Sequence, residues 1–582
     1  MKATDTNAMS RLRQKIKHDD RELADGFRKN RQIAVREYVG SNHAAGGPNK
    51  HVPVNFCNLM VDVLTLFLAG GTPKVFVDTR IQQRRAFGKK LENAINQLIR
   101  RKIRFRESVR RVVKDAIFAM GIMKVGLNTA RQVEIGGVLH DVGQVYADPV
   151  DPDHFVLDLS AYVREDCLYF SERYRVRRED AQECGLYDPD LIANVPTAQP
   201  GPPPDEDRGH SVRRAAHEDG GAPADFEDHI WLMDVYLPKD RLVLTFSCAG
   251  GDTQLRVPDA VQFDGPECGP YYLLGYGQVP LSVLPLAPVA NVMHLHEELN
   301  KIARKIINQA KRQKTITIGV NSTEEDNKAV RDARDGDFLL LSTPVAPQEV
   351  SYGGPSQGLL AIFQQFMTLF NYFGYNVEGL GGMRQQASTA TQEQMMTGGA
   401  TRRLSDMAAT TEAFTSDVVH GIAWHLWEDQ VNEYDLVVPV SGAGFSVPDR
   451  WRRNERDGEF PDYSFTMVPY SMQERSPDSE YDVLISIMRD VVMQLVPFMQ
   501  AAGIQPDVER FLMRVGRLKD IDMSDLVTLT GQVQAMEQAE GPPKPPTTTR
   551  NYVRTGQPGP SPQGAAVQMQ QNMGNRIPGM AP

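Results

Sequence analysis

The spacing of hydrophobic residues predicts helices in the first part of the chain, separated by short strands. Residues 8–40 carry apolar side chains at helical intervals among charged ones, and residues 54–69 are largely apolar. A second amphipathic stretch covers residues 84–120. Alternating runs predict strands over 74–78, 123–127, 132–135, 145–147, 154–159, 230–236, 241–246 and 271–274. This mixture predicts an α+β fold.

From residue 286 onward, the pattern predicts long helices around a small mixed segment. A helix over 286–313 has an apolar seam, and a helix over 357–376 carries six aromatic residues. The insert between them is predicted to contain a strand over 315–320, a helix over 323–334 and a strand over 338–341. Residues 349–352 make a poor strand. We expect the two long helices to run antiparallel as a stalk, with the insert at its tip.

A Gly- and Gln-rich stretch, residues 377–387, precedes a very long predicted helix over 388–432. The later elements are expected to be strands over 435–440 and 463–468 and helices over 477–530. Residues 195–228 and the region from 541 lack apolar periodicity, so we expect a mobile excursion and a disordered tail there.

The composition is that of a soluble protein with several folding units. The 582 residues are 41% hydrophobic and 24% charged, and the five scattered cysteines include no C-x-x-C pair. The apolar run at 59–69 is about half the length of a membrane span, and no apolar leader follows Met1. We therefore expect a reducing, cytoplasmic setting without membrane association. The net charge of −10 argues against general affinity for nucleic acid.

Motifs for enzymatic chemistry are absent or incomplete. His294 and His296 lack the second imidazole, four residues on, that a zinc-protease helix needs. The glycine pattern at 275–280 ends in proline, unlike a dinucleotide fingerprint. Ser356 lies in a G-x-S-x-G match that we interpret as a helix cap, because the preceding residues make a poor strand. The acids at 148–153 alternate with prolines and predict a turn. The sequence predicts no enzyme and no cofactor, catalytic or metal residue.

Several stretches, each weak alone, occur in a specific order. Val54 and Asn55 precede an apolar helix that ends in Gly-Gly-Thr-Pro, and residues 115–125 run from a helix through Gly121 into a strand. Residues 298–314 are followed by Asp-Gly-Asp at 335–337, and Gly-Leu-Gly-Gly-Met begins the stretch 379–393. In this order the chain resembles the portal proteins of tailed bacteriophages over most of residues 10–530.

The resemblance implies a portal fold, with an α+β wing, an α-helical stem, a small α/β clip, a long tunnel helix and a helical crown. Such subunits form a ring, usually of twelve copies, at one capsid vertex of the virion after assembly in the host cytoplasm. The ring is a structural head–tail connector for DNA packaging and DNA ejection, and it has no catalytic residues. The implied partners are viral double-stranded DNA, the terminase packaging motor, head-completion, adaptor and tail proteins, the major capsid protein and scaffolding protein.

The resemblance also implies boundaries and residue roles. The parts are a wing over 1–283, stem helices over 284–313 and 356–376, a clip over 314–355, a tunnel loop over 377–387, a tunnel helix over 388–432, a wing β segment over 433–476, a crown over 477–533 and a tail over 534–582. The loop lining the DNA channel is Gly381, Gly382, Met383, Arg384, Gln385 and Gln386. Candidate contacts to DNA or to a neighbouring stem are Lys301, Arg304, Lys305, Lys311 and Arg312. Stem packing is expected at Leu295, Leu299, Ile302, Ile306, Phe363, Phe366 and Phe370.

Purely structural explanations of these residues remain open beside the roles that the resemblance implies. The basic face of the first stem helix is also typical of a solvated surface, and the tunnel loop of an ordinary flexible connection. Residues 84–114 carry twelve cations against two acids, and these face either DNA or neighbouring proteins. The rival functions are another head–tail connector protein and a cytosolic nucleic-acid-processing enzyme. A net-acidic ring with sparse cations suits DNA transit, because strong phosphate binding would arrest sliding.

Overall fold

The chain consists of two units in the computed structural model, Met1–Ser476 and Pro477–Pro582. All elements named below belong to the first unit. The structure describes residues 6–40, 54–135, 138–198, 227–318, 323–332, 348–352, 354–375, 390–429, 433–439, 446–452, 455–467, 472, 485–486 and 488–489. No helix within these ranges is long and apolar enough to cross a membrane.

The N-terminal helical pattern forms two helices rather than one. A π-helical turn, Ala24–Arg28, joins α1 (Thr6–Leu23) to α2 (Lys29–Val39). The wider turn coincides with the buried Arg28, whose guanidinium donates hydrogen bonds to Asp20 at 2.6 Å and to the Phe155 carbonyl at 3.1 Å. The sequence pattern does not reveal this break, because one partner lies 127 positions away.

The predicted helix over 54–69 is α3 (Phe56–Ala69), and Asn55 caps it by accepting a hydrogen bond from the Asn58 N–H at 2.9 Å. The strand β1 (Val75–Thr79) follows. The basic stretch 84–120 forms two helices, α4 (Arg85–Arg101) and α5 (Phe105–Phe118). They are separated at Arg104, whose φ of 51° lies in the left-handed region and ends helical propagation.

Antiparallel sheets form the middle of the chain. One sheet contains β2 (Gly121–Ile135), paired on one side with β3 (Val138–Pro149) and on the other with β8 (Tyr271–Leu274). A second sheet has the order β4 (Phe155–Leu157), β5 (Phe170–Arg177), β6 (His229–Leu237) and β7 (Leu242–Ser247). The short helices α6 (Arg178–Glu183) and α7 (Pro189–Ala193) follow β5. The predicted strands of this region are confirmed, although 123–127 and 132–135 belong to one strand.

The second part of the unit contains the predicted long helices. Its elements are α8 (Met293–Lys311), β9 (Lys314–Ile318), α9 (Glu324–Asp332), β10 (Gln348–Tyr352), α10 (Gln357–Phe373), α11 (Ala390–Glu428), β11 (Tyr434–Pro439), β12 (Ser446–Trp451) and β13 (Tyr463–Met467). The pairs β9–β10, β11–β12 and β1–β13 are antiparallel. Apart from four positions, the predicted helices over 477–530 lie outside the described residues, as does the predicted strand over 338–341.

Within the first unit, one hydrophobic core joins the N-terminal helices and sheets to the later helices and strands. It contains buried side chains of α3, α4, α5, β2, β8 and the C-terminal half of α11. The pairing of β1 with β13 brings the later strands onto the N-terminal helices. The fold class is therefore mixed, with helices and several small antiparallel sheets, as an α+β protein has.

Buried charges fasten the N-terminal helices to the sheets. Arg31, whose side chain is 5% exposed, lies 2.9 Å from Asp115, 3.1 Å from Asp151 and 2.9 Å from Asp153. Burial raises the pKa of the Asp115 carboxyl to about 6, because the attraction of Arg31 offsets desolvation only partly and Asp151 adds repulsion. This carboxyl therefore binds its proton at a higher pH in the folded chain than in the unfolded chain.

Replacing Asp115 by asparagine should change how stability depends on pH. The raised pKa means that the folded state binds this proton more tightly than the unfolded state does, between about pH 4 and pH 6. Over that window, ionisation of Asp115 destabilises the wild type as pH rises. We expect the free energy of unfolding of Asp115→Asn to improve relative to wild type as pH increases from 4 to 7 in urea titrations.

The matched control is Asp62→Asn, since Asp62 is an exposed carboxyl that also faces a cation, Lys114, at 3.5 Å. The improvement of Asp115→Asn with rising pH should exceed that of Asp62→Asn over the same window. A difference between Asp115→Asn and wild type that is flat, or that moves in the opposite direction, contradicts the expectation.

Candidate functional site

The helices α8 and α10 form an antiparallel hairpin. At one end, the backbone N–H of Ser356 donates to the Gln309 side-chain oxygen at 3.4 Å. At the other end, the rings of His296 and Phe370 lie 6.2 Å apart between centroids. The N-terminus of each helix thus lies beside the C-terminus of the other. The predicted stalk of two antiparallel helices is present.

A polar cluster anchors the base of the hairpin in the core. His296 is fully buried, with Nδ1 3.2 Å from a Glu37 carboxylate oxygen. The Asn300 side-chain amide lies 3.2 Å from His296 Nε2, and its oxygen accepts from the Val54 N–H at 3.2 Å. These contacts join α8 to α2 and to the residues before α3. Sequence reasoning saw that Asn300 replaces a metal-ligating histidine, but it missed this anchoring role, because Glu37 is 259 positions away.

The expected stem-packing residues fall into two groups. Leu299 and Phe370 are buried by the chain's own core, at 1% and 2% exposure, so their contacts are within the subunit. Leu295, Phe363 and Phe366 are half-buried against the same core. Ile302 and Ile306 are half-buried farther along α8. A contact with a second copy stays a prediction for the half-buried side chains.

The second helix of the hairpin has an unusual surface. Among its 17 residues α10 has no charged side chain, and Phe370 is its one buried residue. The apolar side chains that stand out from the hairpin, all at least 40% exposed, are Ile307, Leu360, Ile362, Leu369, Tyr372 and Phe373. Helical spacing puts Ile362, Leu369 and Phe373 on one side of α10, and we call these three the apolar hairpin face. In a single copy of the chain these apolar side chains lie in water.

The predicted basic residues of α8 are exposed, and they differ in their partners. Lys301 lies 2.9 Å from both Glu297 and Glu298 of its own helix, so its charge is locally compensated. The Arg304 guanidinium donates to the Asn300 carbonyl at 3.1 Å. Lys305, Lys311 and Arg312 form no ion pair with any residue in the described ranges. Those three cations are available to an external anion.

The tip of the hairpin carries the small insert, and one prediction about it is wrong. Residues 349–352, expected to be a poor strand, belong to β10 (Gln348–Tyr352), which pairs in register with β9. Pairing with a distant strand outweighs the weak local pattern, since strand propensity depends strongly on context. Ser356 caps α10 as predicted, because its Oγ accepts from the Leu359 N–H at 3.3 Å. The tunnel loop over 377–387 lies outside the described residues.

Some cations of the basic segment 84–114 contact other residues of the chain, and others are exposed without an ion pair in the described residues. Arg84 forms an ion pair with Asp462, and Lys90 lies 3.1 Å from Asp449, so these cations hold the later strands. Lys102 lies over the Tyr434 ring at 5.2 Å. The remaining exposed arginines without an ion pair in the described part of the chain are Arg85, Arg100, Arg101, Arg104, Arg106, Arg110 and Arg111.

Comparison with known proteins adds no assignment. No protein-family model matches the chain, and no curated protein matches it either. Within the described ranges, no group of three or more His, Cys, Asp or Glu side chains is arranged to hold a metal ion.

Proposed function

We propose that the chain is a subunit of a portal-type ring that conducts double-stranded DNA through a virus capsid vertex. In this proposal the hairpin of α8 and α10 is the stem, and the segment between them is the clip on which a packaging motor, and later head-completion and tail proteins, dock. The protein acts as a structural conduit within a virion.

The order of elements supports this proposal. An antiparallel helix pair carries a small insert of two strands and a helix at one end, and a helix of 39 residues follows. The other end of the pair is anchored in an α+β body through Leu299, His296 and Phe370. A stem that projects from a wing and ends in a clip needs this arrangement.

The apolar hairpin face is the observation that carries the proposal. A 17-residue helix without charge and with one buried residue leaves a large apolar area in water if the chain is a monomer. Each fully covered Leu, Ile or Phe side chain contributes about 1.5–3 kcal/mol. In a ring, the α10 of each copy would be covered by the α8 of its neighbour, where Ile307 and the half-buried Ile306 offer apolar surface.

The charges of α8 are compatible with a conduit. Lys305, Lys311 and Arg312 provide sequence-independent attraction to phosphates, and Lys301 is compensated by neighbouring acids. Few free cations on a chain with a net charge of −10 favour weak contacts, which allow DNA to slide.

The oligomeric state tests the proposal. We expect purified full-length protein to form closed rings with a central channel in negative-stain images, and mass photometry should give many multiples of 64.9 kDa. The double variant Leu369→Glu/Phe373→Glu should shift the population to monomers, because it places two charges on the apolar hairpin face.

Val163→Glu/Leu168→Glu is the matched control, since both residues are 50% exposed apolar side chains on the loop between β4 and β5. It should leave the rings intact. A wild-type chain that stays monomeric at micromolar concentration, or rings that survive charges on α10, would sink the proposal.

A further inference from the structure

A cavity of about 500 Å³ opens at the junction of α4 and α5, apart from the helical hairpin. It is lined by Thr72, Ile99, Arg100, Arg104, Phe105, Arg106 and Glu107. Three arginine residues therefore border one concave surface together with a single acidic residue. We call this the arginine cavity.

The arginines of the cavity are not neutralised by the protein. Arg100 and Arg104 are exposed and form no ion pair or side-chain hydrogen bond within the described residues. Arg106 donates one hydrogen bond to the Gly70 carbonyl, which fixes the guanidinium at the cavity wall and leaves its other donors available. Glu107 is exposed and pairs with none of them in the described part of the chain. Like charges held together in this way favour an external anion.

The backbone adds donors to the same wall. Arg104 occupies the N-cap position of α5 in a left-handed conformation and provides no side-chain cap. The next two residues are the first of the helix, and the first N–H groups of a helix have no partner within it. An anion seated here would lie at the positive end of the α5 dipole; the last turn of α4, with Ile99 and Arg100, borders the same cavity and offsets part of that attraction.

We infer that the arginine cavity binds a phosphate group carried on a larger molecule. Planar guanidinium donors match the paired oxygens of phosphate, and Thr72 offers a hydroxyl. The cavity is larger than a lone phosphate ion and open to solvent, so it accommodates either a nucleotide or a stretch of duplex backbone. This inference does not depend on the proposed ring, because every lining residue lies in one copy of the chain.

Binding of two probes to full-length protein tests the inference. Pyrophosphate is titrated calorimetrically, and a short fluorescein-labelled duplex is titrated by anisotropy at several salt concentrations. In Arg100→Gln/Arg104→Asn, affinity for at least one probe should fall by about tenfold or more, since two charged donors to the phosphate are lost. Asparagine tolerates the left-handed conformation at position 104. If the ligand is duplex, the slope of log K against log salt should also fall by about 2.

Two further variants distinguish binding in the cavity from the loss of any surface cation and from misfolding. Arg80→Gln/Arg85→Gln removes two exposed cations near the opposite end of α4 and should change either affinity by less than about twofold. Glu107→Gln removes the one carboxylate of the cavity and should tighten binding severalfold, a gain that misfolding does not produce.

The outcomes are distinct. An effect on pyrophosphate alone assigns the cavity to a small phosphorylated ligand, and an effect on duplex with the altered salt slope assigns it to nucleic acid backbone. Equal losses in the cavity and control variants, or no tightening in Glu107→Gln, would overturn the inference.

Discussion

Arg31→Ala is expected to lower the free energy of unfolding by about 3–5 kcal/mol, the cost of breaking a buried ion pair by removing one partner. Arg31 is 5% exposed and touches three carboxylates, of which Asp153 is 1% exposed. Without the guanidinium, the carboxyls of Asp115, Asp151 and Asp153 lose the cation that they share where α2 contacts α5 and the turn after β3. Urea unfolding followed by far-ultraviolet circular dichroism measures the loss.

Arg177→Ala provides the matched control for this experiment. Arg177 is 44% exposed and lies 3.3 Å from Glu227 and 3.5 Å from Glu179. The substitution therefore removes a guanidinium from ion pairs that are in contact with solvent. Its cost should be below about 1 kcal/mol. If Arg31→Ala costs no more than this control, the buried cluster does not hold α2 in place.

Gly121→Ala is expected to destabilise the protein by about 3 kcal/mol, at the upper end for overpacking. A Cβ at Gly121 would lie 2.3 Å from the Val112 carbonyl oxygen and 2.7 Å from its Cγ1. Because the nearest atom belongs to the backbone of α5, relief requires moving the helix away from β2. The same urea titration measures the difference.

Gly26→Ala is the control substitution, since a Cβ there meets no atom within 4 Å and the residue is already in a helical turn. It should be neutral or stabilising by up to about 1 kcal/mol. A near-zero effect of Gly121→Ala would mean that α5 and β2 are not held in close contact.

The elements predicted with most success are those with long regular patterns. The apolar seam that contains Leu299 predicted the helix α8, and the aromatic residues up to Phe373 predicted the helix α10. Three strands of the four-stranded sheet were predicted from their apolar runs, but β5 (Phe170–Arg177) was missed, because charged residues interrupt its apolar pattern. In each case the information lies within one segment of the chain.

The features that sequence reasoning missed depend on contacts between distant segments. The strand β10 exists because β9 pairs with it, and the π-helical turn coincides with a contact from Arg28 to Phe155. Burial of His296 beside Glu37 likewise joins residues 259 positions apart. For the candidate site, the pattern predicted an apolar seam, but it did not predict that Leu299 and Phe370 face the chain's own core while the apolar hairpin face remains outside.

The pairing of β1 with β13 has a consequence for the order of folding during synthesis. Val75 pairs with Met467, so the N-terminal body cannot close until the ribosome has passed the hairpin, the insert and the long helix. Until then, Val75 and Val77 lack their covering strand, and Lys90 lacks Asp449. Such non-local closure is slow and leaves apolar surface exposed meanwhile. A chain truncated before residue 463 would therefore lack the strand that pairs with β1, and the apolar side chains of Val75 and Val77 would stay uncovered.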